Sequence, residues 1–460
     1  MKLFDDTIIG ISTALSKGAI SIIRLSGDDA IKIVNKVFKG IDLSKVEPNT
    51  INYGHIVDFD SCQIIDEVLV SIFKAPKSYT KEDVVEINCH GGLFVTNKIY
   101  EQLVLLGARP SEPGEFTKRA FLSGRIDLTK AEAVMDVINA ENSAALKIAN
   151  SALNGKISTF VDQKRQELLD IIATISVNID YPEYDDVEQL TNEDILPKLK
   201  TIKLELEDVL NNAKSAKLLK NGINTVIVGK PNVGKSSLLN TLIGENKAIV
   251  TNIPGTTRDI VEASINLGQV TLNLIDTAGI RITEDVVEKI GVEKSKEQIN
   301  KADIILCVLD GSEPINEQDK EILNEIKNKC HLTIINKIDL EQKINLGEVD
   351  DNVLFISTKN NNTIKELENK ILETLNLNNL FNKDITYISN ARQLEKINFA
   401  IKALDEALTT IENEATIDFV DIDIRKAWLY LGEIVGQTST DNLFCLLYTS
   451  DAADDLLCVD

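Results

Sequence analysis

Apolar positions along the chain keep three different periods, and each change of period marks a change of architecture. Up to about residue 120, β-branched residues and glycines dominate. The runs "AISIIRLSG" (19–27), "DEVLVSIFKAP" (66–76) and "DVVEINCHGG" (83–92) read as strands ending in turns. Pro110, Pro113 and Gly114 punctuate the end of this region. From Leu128 apolar residues recur every three or four positions, and "LPKLKTIKLELEDVLNNA" sets Leu199, Ile202, Leu206 and Val209 on one face. The pattern predicts helices to about residue 217, interrupted by the acidic loop "DYPEYDDVE" (180–188). Between 222 and about 378 the short apolar runs "INTVIVG", "VTLNLID", "DIILCVLD", "LTIINK" and "VLFIS" alternate with helical stretches, as in an α/β unit with a mainly parallel sheet. After 385 the spacing of Leu394, Ile397, Ile401, Leu404, Leu408 and Ile411 is that of a helix with a bundle seam.

An α/β unit set between two helical stretches predicts an inserted domain whose flanking helices pack together. The expected fold is multidomain α+β and α/β. It has an N-terminal α+β domain (1–120), a discontinuous helical domain (121–217 and 379–444), an inserted Ras-like P-loop G domain (218–378) and a tail (445–460). A length of 460 residues agrees with several domains.

Composition narrows the function. A net charge of −23 with no basic block argues against a generic polyanion binder, so nucleic acid must be met through a local patch or with a partner's help. No run approaches the length of a membrane span, and "MKLFDDTIIG" lacks the features of a secretory signal. The six cysteines (62, 89, 307, 330, 445, 458) form no C-x-x-C pair and suit free thiols in a reducing cytoplasm, where the chain is expected to work. Cys307, inside "DIILCVLD", reads as core.

The chemistry gathers in the α/β unit. "GKPNVGKSS" follows an apolar strand and precedes a helix, and it matches G-x-x-x-x-G-K-[ST] through Gly229, Gly234, Lys235 and Ser236. Its glycines let backbone N–H groups surround phosphate oxygens, and the helix N-terminus adds the positive end of a dipole. Lys235 reaches the β- and γ-phosphates, and the Ser236 hydroxyl serves Mg²⁺. "NKID" (Asn336, Lys337, Asp339) follows a strand roughly one hundred residues later. A carboxylate there accepts from the amide and amine of guanine, a donor pair adenine lacks. Ser357, Thr358 and Lys359 end the next strand and would back the base. Within "GTTRD", Thr256 or Thr257 could give the second Mg²⁺ hydroxyl. Asp276-Thr277-Ala278-Gly279 reads as D-x-x-G, with Asp276 holding Mg²⁺ through water and the Gly279 N–H sensing the γ-phosphate. The next residue is Ile280, where many GTPases carry a water-orienting glutamine.

Taken together, "DTIIGISTALSKGAISIIRLSG", "CHGG", "RPSEPGEFTKRAFLSGRIDLTKAEAVMD", "GKPNVGKSSLLN", "IPGTTRD" and "DTAGIR" resemble the MnmE (TrmE) family of tRNA-modification GTPases over residues 1 to about 444. The resemblance implies an answer to Ile280. In that family K⁺ supplies the missing positive charge, here on Asn232, Thr251, Ile253 and Thr256, with Mg²⁺ on Ser236 and Thr257. A glutamate twelve residues beyond the D-x-x-G aspartate orients the water, which here is Glu288. The implied catalytic set is Glu288, Asn232 and Lys235. The implied GTP contacts add Val233, Gly234, Ser236 and Ser237, then Thr251, Asn252, Ile253, Pro254, Gly255, Thr256 and Thr257. They continue through Asp276, Thr277, Ala278 and Gly279 to the base residues already named.

The resemblance further implies that the N-terminal domain dimerises and binds a tetrahydrofolate derivative, 5-formyl- or methylene-tetrahydrofolate, through Arg24, Glu86 and Arg125. On the residues alone, Arg24 as a surface strand residue and Glu86 as an edge charge are equally good readings, and His90 in "CHGG" reads as a turn residue of structural or pocket-lining role. Implied partners are a second copy of the chain, the FAD-carrying flavoprotein MnmG (GidA) in a heterotetramer, and tRNA held mainly through that complex, with no membrane. The implied product is an aminomethyl-type group, carboxymethylaminomethyl included, on carbon 5 of the wobble uridine. After "DNLF" the chain reads "CLLYTSDAADDLLCVD" where the family has F-C-I-G-K, so neither Cys445 nor Cys458 takes that cysteine's role, and the sequence as it stands is expected to hydrolyse GTP but be deficient in modification. Two other readings remain open at this level: a ribosome-assembly GTPase acting as a nucleotide-switched RNA-binding module, and a folate enzyme with a regulatory GTPase attached.

Overall fold

The computed structural model describes residues 4–180, 192–245, 261–275, 299–345, 347, 349, 352–357, 363–377, 388, 390–413 and 416–437. The chain divides into two compact units, residues 1–135 with 435–460, and residues 136–434.

The first unit is built on a seven-stranded sheet. Its strands are β1 (Ile8–Ile11), β2 (Ile20–Ser26), β3 (Phe38–Lys39), β4 (Thr50–Val57), β5 (Ile64–Phe73), β6 (Val84–His90) and β7 (Arg109–Pro110), in the order β3-β4-β5-β6-β2-β1-β7. All pairings are antiparallel except β1 with β7. Side chains alternate across the sheet. Ile9, Ile23, Leu25, Val85, Ile87, Val70 and Ile72 point into one apolar core with helices α1 (Ala30–Asn35) and α2 (Leu93–Leu105). The opposite parity carries the row Gly10, Arg24, Glu86 and Ser71, each opposite the next on the neighbouring strand.

A third helix, α3 (Glu115–Leu122), starts after Gly114, whose φ of 64° suits glycine. It is anchored by Arg119, whose fully buried guanidinium donates to Asp6, Glu82 and Glu115 at 2.7–3.1 Å. A buried cation with three carboxylates is costly to break, so α3 is held in one place. His90 is the last residue of β6, not part of a turn: its ladder pairing with Ile20 continues the strand that far.

Helix α4 (Leu128–Ile138) begins in the first unit and runs on into the second, where α5 (Ser143–Leu153), α6 (Lys156–Asp180) and α7 (Asn192–Asn221) follow. Leu199, Ile202, Leu206 and Val209 are all buried, as their spacing requires. The acidic stretch lies outside the described residues from 181 onward. Helix α7 continues to Asn221, four residues past the helical limit read from the sequence, and Gly222 with φ of 84° ends it. The G-domain sheet follows. It comprises β8 (Ile223–Val228), β9 (Val261–Asn266), β10 (Thr271–Ile275), β11 (Ile304–Asp310), β12 (His331–Asn336) and β13 (Val353–Phe355), in the order β13-β12-β11-β8-β10-β9. All pairs are parallel except β9 with β10.

Central strand β11 is buried on both faces. Ile304, Leu306 and Val308 pack toward α8 (Lys235–Glu245), while Ile305, Cys307 and Leu309 pack toward α9 (Glu317–Ile326). Helix α10 (Thr363–Thr374) covers the α8 side. The chain then returns as α11 (Ala391–Glu412) and α12 (Ile417–Val435). Lys203 of α7 pairs with Asp405 of α11 at 2.5 Å, and Arg165 of α6 stacks on Trp428 of α12 at 4.1 Å. The helices flanking the inserted sheet therefore pack on one another.

One buried side chain joins the helices to the G-domain sheet. Asn142 caps α5 by accepting from the Ala145 N–H at 2.7 Å, and its amide donates to the Leu219 carbonyl at 3.1 Å and to Thr271 Oγ1 at 3.0 Å. Asn142→Ala removes the cap and strands two buried acceptors, for an expected loss of about 2–4 kcal/mol. Asn142→Asp keeps the cap and loses about 1–3 kcal/mol. Urea unfolding of the two variants against the parent measures both; equal stability of all three would contradict the assignment.

Candidate active site

The phosphate loop runs from the end of β8 to the start of α8. Gly229 has a φ of 148°, and a Cβ there would lie 2.4 Å from the Val308 carbonyl oxygen of β11. Gly234 has a φ of 101°, and a Cβ there would lie 2.1 Å from Asn336 Nδ2. Both close approaches need glycine, and both pull the loop against neighbouring strands. Val233 is fully buried, while Asn232, Ser236 and Ser237 are exposed on the open side of the loop. Asn232 adopts φ of 65°, a left-handed conformation asparagine tolerates better than most residues. Lys235 folds its ammonium back onto the Gly229 and Lys230 carbonyls at 2.6 and 2.8 Å. Burial lowers its pKa below the ordinary lysine value. A lysine so held is aimed into the loop's concavity, where phosphate oxygens would take over from the carbonyls. Lys230 ties the loop outward to Glu313 at 3.0 Å and to Asp319 at 3.2 Å.

The base loop is anchored to the same cradle. Asn336, at the end of β12 and 2 % exposed, donates to the Val233 carbonyl at 3.0 Å. Lys337, with φ of 63°, reaches Asp310 at 2.5 Å. Burial would raise the Asp310 pKa, but the hydrogen bonds from Lys337 and Ser312 outweigh it and hold the carboxyl below its usual range. Ser357 follows β13 and donates to Asp339 Oδ1 at 3.0 Å, which orients that carboxylate. Phosphate loop, Asn336, Lys337, Asp339 and Ser357 thus form one connected site at the carboxyl ends of the parallel strands. Cys307 lies fully buried beneath it, its thiol pushed up to about 12 by burial, so it is core and not a nucleophile.

Thr251, Asn252, Ile253, Pro254, Gly255, Thr256, Thr257, Asp276, Thr277, Ala278, Gly279, Glu288, Thr358 and Lys359 lie outside the described residues, as do Ile280, Cys445 and Cys458. Among the described residues no group of three or more His, Cys, Asp or Glu could hold a metal ion. Cys62, Cys89, Cys307 and Cys330 are free thiols. No described helix is long and apolar enough to cross a membrane.

Of the three residues singled out for folate, Arg24 and Glu86 lie on the non-core face of the N-terminal sheet and Arg125 lies in the turn after α3. Arg24 and Glu86 face each other across β2 and β6, with Nε and Nη2 at 2.8 and 2.7 Å from Glu86 Oε1. Arg125 lies over the Tyr79 ring at 4.9 Å, and Arg24 lies over the same ring at 5.8 Å and over Phe116 at 5.5 Å. Tyr79 and Phe116 carry no signal in the sequence, where "KSYTKEDVV" holds one aromatic and "PGEFTKRAF" holds two, Phe116 and Phe121. His90 lines a separate cavity of about 360 Å³ with Ile20, Tyr53 and Glu67. Its hydrogen bond to Asp66 raises the imidazole pKa above the ordinary histidine value.

Comparison with known proteins decides the kinship. The model of the MnmE helical domain matches residues 128–448, and that of the GTP-binding protein TrmE N-terminus matches residues 7–125. The chain belongs to the MnmE (TrmE) family. It is 48% identical over 449 residues to the tRNA modification GTPase MnmE of Bacillus cytotoxicus, covering 96% of this chain and 98% of that protein. It is 50% identical over 445 residues to the protein of the same name from Streptococcus thermophilus, covering 96% and 97%. Among solved structures, Era from Aquifex aeolicus bound to GDP and aluminium fluoride is 30% identical over 39% of this chain and 66% of that one, with a TM-score of 0.25. The G domain of the T. maritima FeoB iron transporter is 25% identical over 33% and 98%, with a TM-score of 0.24. Membership makes the chain a GTP-hydrolysing enzyme of the MnmE family, with the fold of an N-terminal α+β domain, a helical domain and an inserted P-loop G domain.

The Asp339 carboxylate supplies a direct check on the base site. Asp339→Asn replaces one acceptor by a donor, which mismatches the guanine amine and suits the C2 carbonyl of xanthine. GTP affinity should fall by roughly one to two orders of magnitude while XTP affinity rises, as measured by fluorescent-nucleotide displacement. An unchanged preference for GTP would remove Asp339 from base recognition.

Proposed function

We propose that the chain is the K⁺-dependent GTPase component of a tRNA-modification system that, with a flavoprotein partner, installs an aminomethyl or carboxymethylaminomethyl group on carbon 5 of the wobble uridine. The observation that carries this reading is near-full-length kinship with curated tRNA modification GTPases combined with Ile280 after D-x-x-G. An alkyl side chain cannot orient water, so the positive charge and the water-positioning group must come from elsewhere.

The cradle fits a nucleotide: two glycines leave no room for Cβ, and the lysine ammonium rests on backbone carbonyls that a phosphate would replace. Ser236, exposed in the first turn of α8, would hold Mg²⁺ together with Thr257. Asn232, exposed at a left-handed turn of the loop, would hold K⁺ with Thr251, Ile253 and Thr256. When bound, K⁺ supplies the charge that an arginine finger supplies in other GTPases. The chain's own residues do the rest. Lys235 neutralises the β- and γ-phosphates, Asp339 selects guanine, and Glu288 holds the attacking water.

In the N-terminal unit Arg24, Glu86 and Arg125 would hold a tetrahydrofolate derivative, 5-formyl- or methylene-tetrahydrofolate. The carboxylate suits the pterin's donors and the guanidiniums suit its oxygen acceptors. A homodimer through this unit, a flavoprotein carrying FAD in a heterotetramer, and tRNA gripped largely by that partner complete the reading. A chain of net charge −23 gains from such a division of labour. A cytoplasmic location accords with substrate and partner.

Replacing K⁺ by Na⁺ should slow GTP turnover at saturating nucleotide, and Glu288→Ala should lower kcat by about two orders of magnitude or more with GTP affinity nearly intact. Phosphate-release kinetics read both. Cation-indifferent turnover would strip Asn232 of its role, and parent-like kcat in the variant would strip Glu288 of its own.

A further inference from the structure

We propose that Tyr79 is a positioning residue of the one-carbon site, fixing the Arg24 and Arg125 guanidiniums so that both cations serve one ligand rich in carboxylate and carbonyl oxygens. The inference rests on the folate reading and adds to it the element that brings its residues together.

The two arginines come from distant parts of the chain, one on β2 and one in the turn after α3, yet both lie over the Tyr79 ring, at 5.8 and 4.9 Å from its centroid. Like charges gathered at one point repel, and the negative face of an aromatic ring offsets that repulsion. Arg24 has a carboxylate partner in Glu86, whereas among the described residues the exposed Arg125 has none. Two guanidiniums and one carboxylate leave a local excess of one positive charge within a chain of net charge −23. Such a cluster is matched to an anionic or carbonyl-rich ligand.

The ring is held in place from below. Its hydroxyl shares a hydrogen bond with Thr117 Oγ1 at 3.0 Å, and Thr117 sits on α3, which the buried Arg119 network immobilises. The preceding residue, Phe116, closes the other side of Arg24 at 5.5 Å. Phe116 finds room because β1 has Gly10 opposite Arg24: a Cβ at Gly10 would lie 3.0 Å from the Phe116 ring. Tyr79 is only half-buried, and the apolar core of this unit, on the other face of the sheet, does not include it. Its surroundings are those of a support for charged groups.

The test is calorimetric binding of 5-formyltetrahydrofolate to the full chain. Tyr79→Phe keeps the ring and should bind within about threefold of the parent, while Tyr79→Leu should bind about tenfold more weakly. In an Arg24→Ala, Arg125→Ala background the Tyr79→Leu change should cost little more, because Tyr79 acts through those two residues. If Tyr79→Leu does not fold as the parent does, Tyr79→Met keeps apolar bulk without the π face and carries the same expectation. Parent-like affinity of the Leu or Met variant, or full additivity with the arginine changes, overturns the role of Tyr79 alone. A parent chain that does not bind the folate overturns the folate reading, and the role of Tyr79 with it.

Discussion

A single carboxamide holds the nucleotide site together. Asn336 ends β12 and donates into the phosphate loop at Val233, while its own strand leads into the loop that carries Asp339. The phosphate loop and the loop that carries Asp339 are thereby tied to one another. The close fit at Gly234 depends on the same contact, since any side chain there would strike that amide.

Charge is handled locally in both units. The chain is strongly acidic, yet each cation that matters is given its own setting. Lys235 rests on carbonyls, Lys230 on two carboxylates outside the cradle, Arg24 on Glu86, and Arg125 on an aromatic ring. Positive charge is thus concentrated where phosphate or folate oxygens are expected and screened elsewhere. An acidic chain with such pockets suits a component that leaves most of the tRNA surface to a partner.

Much of this was legible in the residues. The phosphate loop, the base loop and the helical faces at Leu199 to Val209 are local patterns whose physics acts over a few positions, and the fold reproduces them. What escaped was tertiary. Helix α2 (Leu93–Leu105) was not read from the sequence, although its buried Thr96, Ile99 and Leu103 keep helical spacing. His90 looks like a turn residue beside two glycines but is kept in β6 by its pairing with Ile20. Tyr79, Phe116 and Asn142 gain meaning only from partners tens of residues away. Arg24 and Glu86 were singled out by kinship; their direct opposition across two strands is a matter of register, which no single strand displays.

The central claim is that a monovalent cation beside Asn232 replaces the side chain that Ile280 cannot supply. The most direct measurement is anomalous diffraction from crystals of the chain with GDP and a planar phosphate mimic, grown in Rb⁺ as a heavier substitute for K⁺. The account predicts an anomalous peak within coordination distance of the Asn232 carboxamide oxygen and the phosphate mimic. A fully formed planar mimic with no cation at that position would contradict it.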